Sequence, residues 1–237
     1  MKKIKSFLST FSFGEKLLWG SSSFVILLAF VLFDRGNYLT LAASLIGVTS
    51  LIFDAKGHHF GQLLMVVFSL LYGWISFRFA YYGEMITYLG MTAPMAVAAY
   101  ISWKKNSFAE GKAEVKVNKI STSEHIFMWV LTLAVTAVFY FILKAFNTAN
   151  LLPSTVSVTT SFLAVYLTFR RSPYYALGYA ANDVVLILLW VLASMENSAY
   201  LSVVVCFGAF LVNDLYAFLC WKKMEQRQAE RQGCCAR

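Results

Sequence analysis

Two dipeptides pose the chemical question. The run "YYALGYAANDVVLILLW", residues 174–190, carries Asn182 and Asp183 in apolar surroundings, and "VNDLYAFLCW", residues 212–221, repeats the pair as Asn213 and Asp214. On a helix, Tyr175, Tyr179, Asn182 and Leu186 fall at i, i+4, i+7 and i+11, which is one face, and Asp183 borders it. Two aromatic rings on one face can sandwich a flat heterocycle. An Asn both donates and accepts, and an Asp accepts two hydroxyl hydrogen bonds or carries a proton. These parts suit a nucleoside-like solute, a flat base on a polyhydroxyl sugar. A structural reading stands beside it. An intramembrane Asn can bond across helices, and a central Asp can be protonated and structural.

Other polar residues in apolar runs are Gln62, Trp74 and Thr92, candidate pocket residues of the first half, together with Pro94, a candidate helix hinge. His58 and His59 in "AKGHHFGQ" read as loop residues, and Arg78 and Glu84 as surface residues. No nucleophile, base and orienting group converge. There is no P-loop, no HExxH and no GxSxG. The chain is therefore expected not to be an enzyme and to need no cofactor or metal. Cys206 and Cys220 lie in apolar runs as small core residues, and Cys234 and Cys235 in the tail are a candidate lipidation pair.

The elements that must position these groups are membrane spans. The 237 residues are 59% hydrophobic, 17% aromatic and 14% charged, against about 25% charged in a soluble domain. Eight apolar segments are expected: Leu17–Phe33, Tyr38–Phe53, Phe60–Ala80, Met85–Trp103, Ile126–Phe146, Leu152–Phe169, Tyr174–Ala193 and Ala199–Trp221. Before them, "MKKIKSFLSTFSFGEK" reads as an amphipathic interfacial segment, not a signal peptide. At 1.5 Å per residue, Asn182 lies about 12–16 Å from the start of its span and Asn213 about 12 Å from the end of the next. Both pairs are thus near mid-bilayer, where an ionisable residue marks a pathway or binding site.

The net charge of +8 does not suggest nucleic acid, because the basic residues cluster in the tails and alternate loops. With both termini cytoplasmic, Lys56, Lys104, Lys105, Lys112, Lys116, Lys119, Arg170 and Arg171 fall on the same side as the tails, and Arg35 is the clear exception. A weak repeat accompanies this. The fourth segment ends "AYISWKKN" and the eighth "AFLCWKKM". If segments two to four match six to eight, the fifth is a linker and the repeats are parallel, one known transporter plan. The chain then divides into an interfacial segment (1–16), an extra helix (17–33), a first triple-helix bundle (34–103), a loop and linker helix (104–151), a second bundle (152–223) and a cytoplasmic tail (224–237).

Three stretches, "YYGEMITYLGMTAPMAVAAYISWKKN", "LTFRRSPYYALGYAANDVVLILLW" and "CFGAFLVNDLYAFLCWKK", resemble in order and spacing the Pnu family of bacterial vitamin transporters, over residues 34–223. The resemblance implies an all-α integral membrane protein with a SWEET-like 3+1+3 core and an extra N-terminal helix, a homotrimer in the bacterial inner membrane. It implies facilitated diffusion of nicotinamide riboside or a similar nucleoside, trapped inside by a kinase. Tyr175 and Tyr179 would line the base site. Asn182, Asp183, Asn213 and Asp214 would be polar contacts, with Gln62, Trp74 and Thr92 from the first bundle. Members that carry nicotinamide riboside show two tryptophans where this chain has Tyr175 and Tyr179, so a deoxynucleoside stays open as substrate. Two further readings remain: proton-coupled symport through Asp183 or Asp214, and a non-transporting membrane scaffold or sensor.

Overall fold

The computed structural model describes residues 11–78, 81–109, 113–148 and 150–235. Eight helices among them are long and apolar enough to cross a membrane. They are α1 (Phe13–Phe33), α2 (Tyr38–Ala55), α3 (Phe60–Arg78), α4 (Tyr82–Lys105), α5 (Thr122–Ala145), α6 (Leu151–Phe169), α7 (Tyr175–Ser194) and α8 (Leu201–Cys235). Their outward faces are rich in exposed Leu, Val and Phe, as expected where lipid is the solvent.

The first helix starts earlier than its apolar run. Ser12 and Glu15 form a capping box, with Glu15 N donating to Ser12 Oγ at 3.3 Å and Ser12 N to Glu15 Oε2 at 2.7 Å. Residues 13–16 of the expected interfacial segment are therefore helix, and residues 1–10 lie outside the described chain. Glu15 also pairs with Lys56 at 2.8 Å, tying α1 to the turn after α2. At the other end, α8 does not stop at the membrane boundary. It runs 35 residues, to Cys235, because "KKMEQRQAERQ" is made almost wholly of good helix formers. The Cys234 and Cys235 side chains lie outside the described ones.

Helix α4 contains a π turn at Tyr88–Thr92. Pro94 follows it and has no N–H to continue the ladder. The ladder widens by one residue, and Ala93 N donates to Tyr88 O. Thr92 Oγ1 donates to Thr87 O at 3.3 Å across the same turn.

The packing is reciprocal. Helices α2, α3 and α4 pack in series, as do α6, α7 and α8. Between the two sets, α2 packs on α8 and α4 on α6, so the first helix of each set meets the last of the other. Helix α5 lies on α6, and α1 lies on α8 and α2. Small residues allow close approach. A Cβ at Gly47 would stand 2.4 Å from Phe210 Cζ, and one at Gly178 would stand 2.9 Å from Ala164 Cα.

Helices α2 and α6 end alike. Gly57 (φ 64°) and Arg171 (φ 57°) are both left-handed. Gly57 N bonds Asp54 O at 2.9 Å and His58 N bonds Phe53 O at 3.0 Å, while Arg171 N bonds Thr168 O and Ser172 N bonds Leu167 O, each at 3.0 Å. The segment after α4 crosses both turns as a strap. Val115 N donates to Gly57 O at 2.9 Å, and Asn118 N to Arg171 O at 3.0 Å. The face of the molecule carrying these turns is the strap face.

Candidate functional site

Helix α7 carries a column of side chains through the molecule. Tyr175, Asn182, Asp183, Leu186 and Trp190 are all buried on it. The series read from the sequence ended at Leu186, and its next member, Trp190, was legible at the same spacing.

At the strap face the column starts in a closed aromatic cluster. The Tyr175 ring lies 5.0 Å from Trp221 and 6.3 Å from Trp103, and the two tryptophans lie 5.2 Å apart. Trp103 Nε1 donates to Thr168 O at 2.8 Å, and Trp221 Nε1 to Asp54 O at 2.7 Å. Each indole thus bonds the last turn of the other set's first helix. The Tyr175 hydroxyl is buried without a hydrogen-bond partner, with Asp54 and Asp214 as its charged neighbours. Tyr179 lies beside Thr168, with Asp54, Asp214 and Asp183 nearby.

Above the tyrosines, the two Asn-Asp pairs divide their labour. The Asp183 and Asp214 carboxyl groups face each other across α7 and α8, close enough for one to hydrogen-bond the other. Two carboxyl groups can do so when one of them holds a proton. The Asn residues turn elsewhere. Asn182 Oδ1 accepts from the α6 hydroxyls of Thr160 and Ser161 at 2.9 Å and of Ser157 at 3.2 Å. Asn213 Nδ2 donates to Ser22 Oγ of α1 at 2.9 Å and to Ala209 O at 2.7 Å. Asn182 therefore clasps α6 to α7, and Asn213 clasps α1 to α8.

The first helix set contributes Asp54, Gln62 and Tyr88. Gln62 Nε2 donates to Asp54 Oδ1 at 2.9 Å, and Asp54 lies near Asp214. Tyr88, in the π turn, neighbours Asp183 and Tyr179. Thr92 is buried one turn away, committed to the Thr87 carbonyl. Trp74 does not join them. It is 53% exposed, tilted against Phe77, because it lies off the buried stripe of α3 on which Tyr72 faces inward. Asp54 was missed by sequence reasoning because the expected apolar run ends at Phe53, one residue before it. An acid one residue past a span, eight before a Gln, is the signal that was available.

The face opposite the strap is open. A cavity of about 180 Å³ is lined by Tyr81, Tyr82, Glu84, Thr148, Trp190 and Glu196, among others. A second, of about 250 Å³, is lined by Asp34, Asn37, Tyr72, Trp190, Asn197 and Tyr200, among others. Trp190 separates them and is shared by both. Glu84, expected at the surface, is half-buried in the first. Among the described residues, no Lys or Arg lines either cavity. By contrast, the cavity on the strap face is lined by Lys56, Lys223 and Arg227. Burial raises the Asp34 carboxyl above its ordinary range, and the Tyr81 phenol is pushed up to about 12 by burial and by Tyr200.

Among known proteins, the nicotinamide mononucleotide transporter family model matches residues 37–223. The chain is 24% identical over 202 residues to a nicotinamide riboside transporter PnuC from Neisseria mucosa, covering 83% of this chain and 76% of that one. It is 22% identical over 193 residues to a nicotinamide riboside transporter PnuC from Haemophilus influenzae, covering 81% and 82%. A crystal structure of the vitamin B3 transporter PnuC superposes with a TM-score of 0.80 at 22% identity, covering 92% of this chain and 94% of that one.

Proposed function

Because this chain belongs to the nicotinamide mononucleotide transporter family, a family of membrane transporters, we propose that it carries nicotinamide riboside, the unphosphorylated nucleoside, by facilitated diffusion. The observation that carries the choice is the sign of the charge along the column. Asp183 and Asp214 lie at its centre, Glu84, Glu196 and Asp34 line the open cavities, and no Lys or Arg among the described residues lines those cavities. Among side chains, Arg and Lys are the ones that recognise phosphate. Nicotinamide riboside carries a fixed pyridinium cation and no phosphate, so the carboxylates attract it and repel the mononucleotide.

In this reading the strap face is cytoplasmic, where the basic loops lie, and the two three-helix sets rock about the α2–α8 and α4–α6 contacts. The substrate would pass between Tyr88 of one set and Tyr179, Asp183 and Asp214 of the other. A homotrimer with one pathway per subunit is part of the same proposal. The test is uptake into proteoliposomes holding the full chain. Labelled nicotinamide riboside should equilibrate without accumulating, with or without a pH gradient, and the mononucleotide should not enter. Equal entry of both, or entry of neither, would overturn the reading.

One observation favours a second reading. Two buried carboxyl groups facing each other, Asp183 and Asp214, are what a proton-coupled symporter needs to take up and release a proton. Accumulation above the equilibrium level, abolished by collapsing a pH gradient, would select it.

A further inference from the structure

The cavity between α4, α6 and α7 has a composition of its own. Its walls include three aromatic rings, Tyr81, Tyr82 and Trp190, and two carboxylates, Glu84 and Glu196, with no cation among the lining residues. The Tyr81 and Trp190 rings meet edge to face at 5.1 Å. Glu84 Oε2 is buried without a hydrogen-bond partner, and so is Thr148 Oγ1 beside it. Glu84 also lies near Tyr72 and Tyr88, so it faces the interior as well as the cavity. A buried acid oxygen left without a partner costs free energy, because its lost hydration is not replaced. Its retention beside π faces is the chemistry of a site for a flat organic cation. The volume of about 180 Å³ accommodates a single substituted heteroaromatic ring.

We propose that this cavity is a distinct outer subsite, in which Glu84 and the faces of Trp190 and Tyr81 hold a cationic aromatic ring before it passes inward to Tyr88 and Tyr179. Glu84 is the specificity-determining residue: it favours an N-substituted pyridinium over a neutral ring of the same shape. The inference rests on the transport reading for its direction of passage but not for its binding chemistry.

Two measurements separate the two. First, binding of 1-methylnicotinamide, the ring cation without the sugar, is measured by calorimetry on the full chain in detergent. The wild type should bind it, and Glu84→Gln should bind it roughly two- to fivefold more weakly, the range for one charge contact in a partly hydrated site. Glu196→Gln should weaken it less, since Glu196 is exposed. Second, initial uptake of nicotinamide riboside and of its neutral 1,4-dihydro form is compared in proteoliposomes. Glu84→Gln should raise KM for the cation by a similar factor and leave KM for the neutral form unchanged. Unchanged neutral uptake also shows that the variant is folded. If Glu84→Gln does not assemble, Trp190→Leu replaces it and should weaken both binding and cation uptake. No binding by the wild type, or equal losses for cation and neutral ring, would overturn the subsite. Binding of 1-methylnicotinamide without flux of either riboside would instead overturn the transport reading and leave the subsite standing.

Discussion

Trp103 and Trp221 are exchanged partners. Their rings lie 5.2 Å apart, and each sends its indole N–H to the end of the helix that opens the other set, to Thr168 O and to Asp54 O. The strap face is closed by this pair with Tyr175 against it. Both indoles are almost fully buried, so a lost N–H leaves a buried carbonyl with one fewer donor. Trp103→Phe and Trp221→Phe should each cost about 1–2 kcal/mol, lowering the melting temperature in detergent by roughly 3–6 °C. Because the rings touch, the double variant should lose measurably less than the sum of the singles. Strict additivity would mean that the two indoles are independent anchors.

The Asp183–Asp214 pair gives a different prediction, because amide substitution keeps its hydrogen bond. An Asn opposite an Asp can donate a hydrogen bond to it. Asp183→Asn and Asp214→Asn should each fold as the wild type does, judged by gel filtration in detergent. The double variant should also fold yet lose uptake of nicotinamide riboside by about tenfold or more, since removing one charge contact from a low-dielectric site costs more than 1 kcal/mol. Normal uptake by the double variant would remove the pair from the pathway.

Much of the membrane layout could be read from the sequence because lipid imposes a long apolar run on every span. The eight helices lie where those runs predict, and the Asn-Asp pairs are buried as their depth demanded. Which way each polar group turns was not legible. The carbonyl oxygen of Asn182, a candidate solute contact, also bonds Ser157, Thr160 and Ser161, because three hydroxyls on α6 face it, and a spacing within α7 carries no information about α6. Trp74 was expected in the pocket for its type, but its position on α3 turns it outward. Asp54, at the very end of its run, gained its role only when α8 delivered Trp221 to its carbonyl.

Asp54 is held in place from the far side by an absent side chain. A Cβ on Gly61 would stand 2.2 Å from Asp54 Oδ1 and 2.8 Å from Ser50 O. Gly61→Ala must therefore push the carboxylate off Gln62 and press on backbone. The expected outcome is a loss of more than about 2 kcal/mol, the range for overpacking a well-packed interior, seen as poor extraction or early melting. Adding Asp54→Ala should restore part of it by clearing the carboxylate, while the Ser50 carbonyl keeps the rescue incomplete. No rescue at all would place the whole cost on the Ser50 contact.

The strap itself is fastened by α8 beyond the membrane. Gln228 is 3% exposed and makes three hydrogen bonds to the strap. Its Oε1 accepts from Val117 N at 2.9 Å, and its Nε2 donates to Val115 O at 3.0 Å and to Glu114 Oε1 at 2.9 Å. Val115 and Asn118 in turn bond the carbonyls of the two left-handed turns. Moving one helix set against the other at this face would separate those turns, so the strap must let go of at least one of them. Gln228→Ala removes the fastening without touching the column along α7. Amide hydrogen exchange of residues 113–121 should speed up by roughly tenfold, as for a local opening made easier by about 1.4 kcal/mol, while α2, α6 and α7 keep their protection. Gln228→Glu should fall between, because its carboxylate still accepts from Val117 N but repels Glu114. Unchanged exchange in Gln228→Ala would mean that burial of Val115 alone holds the strap in place.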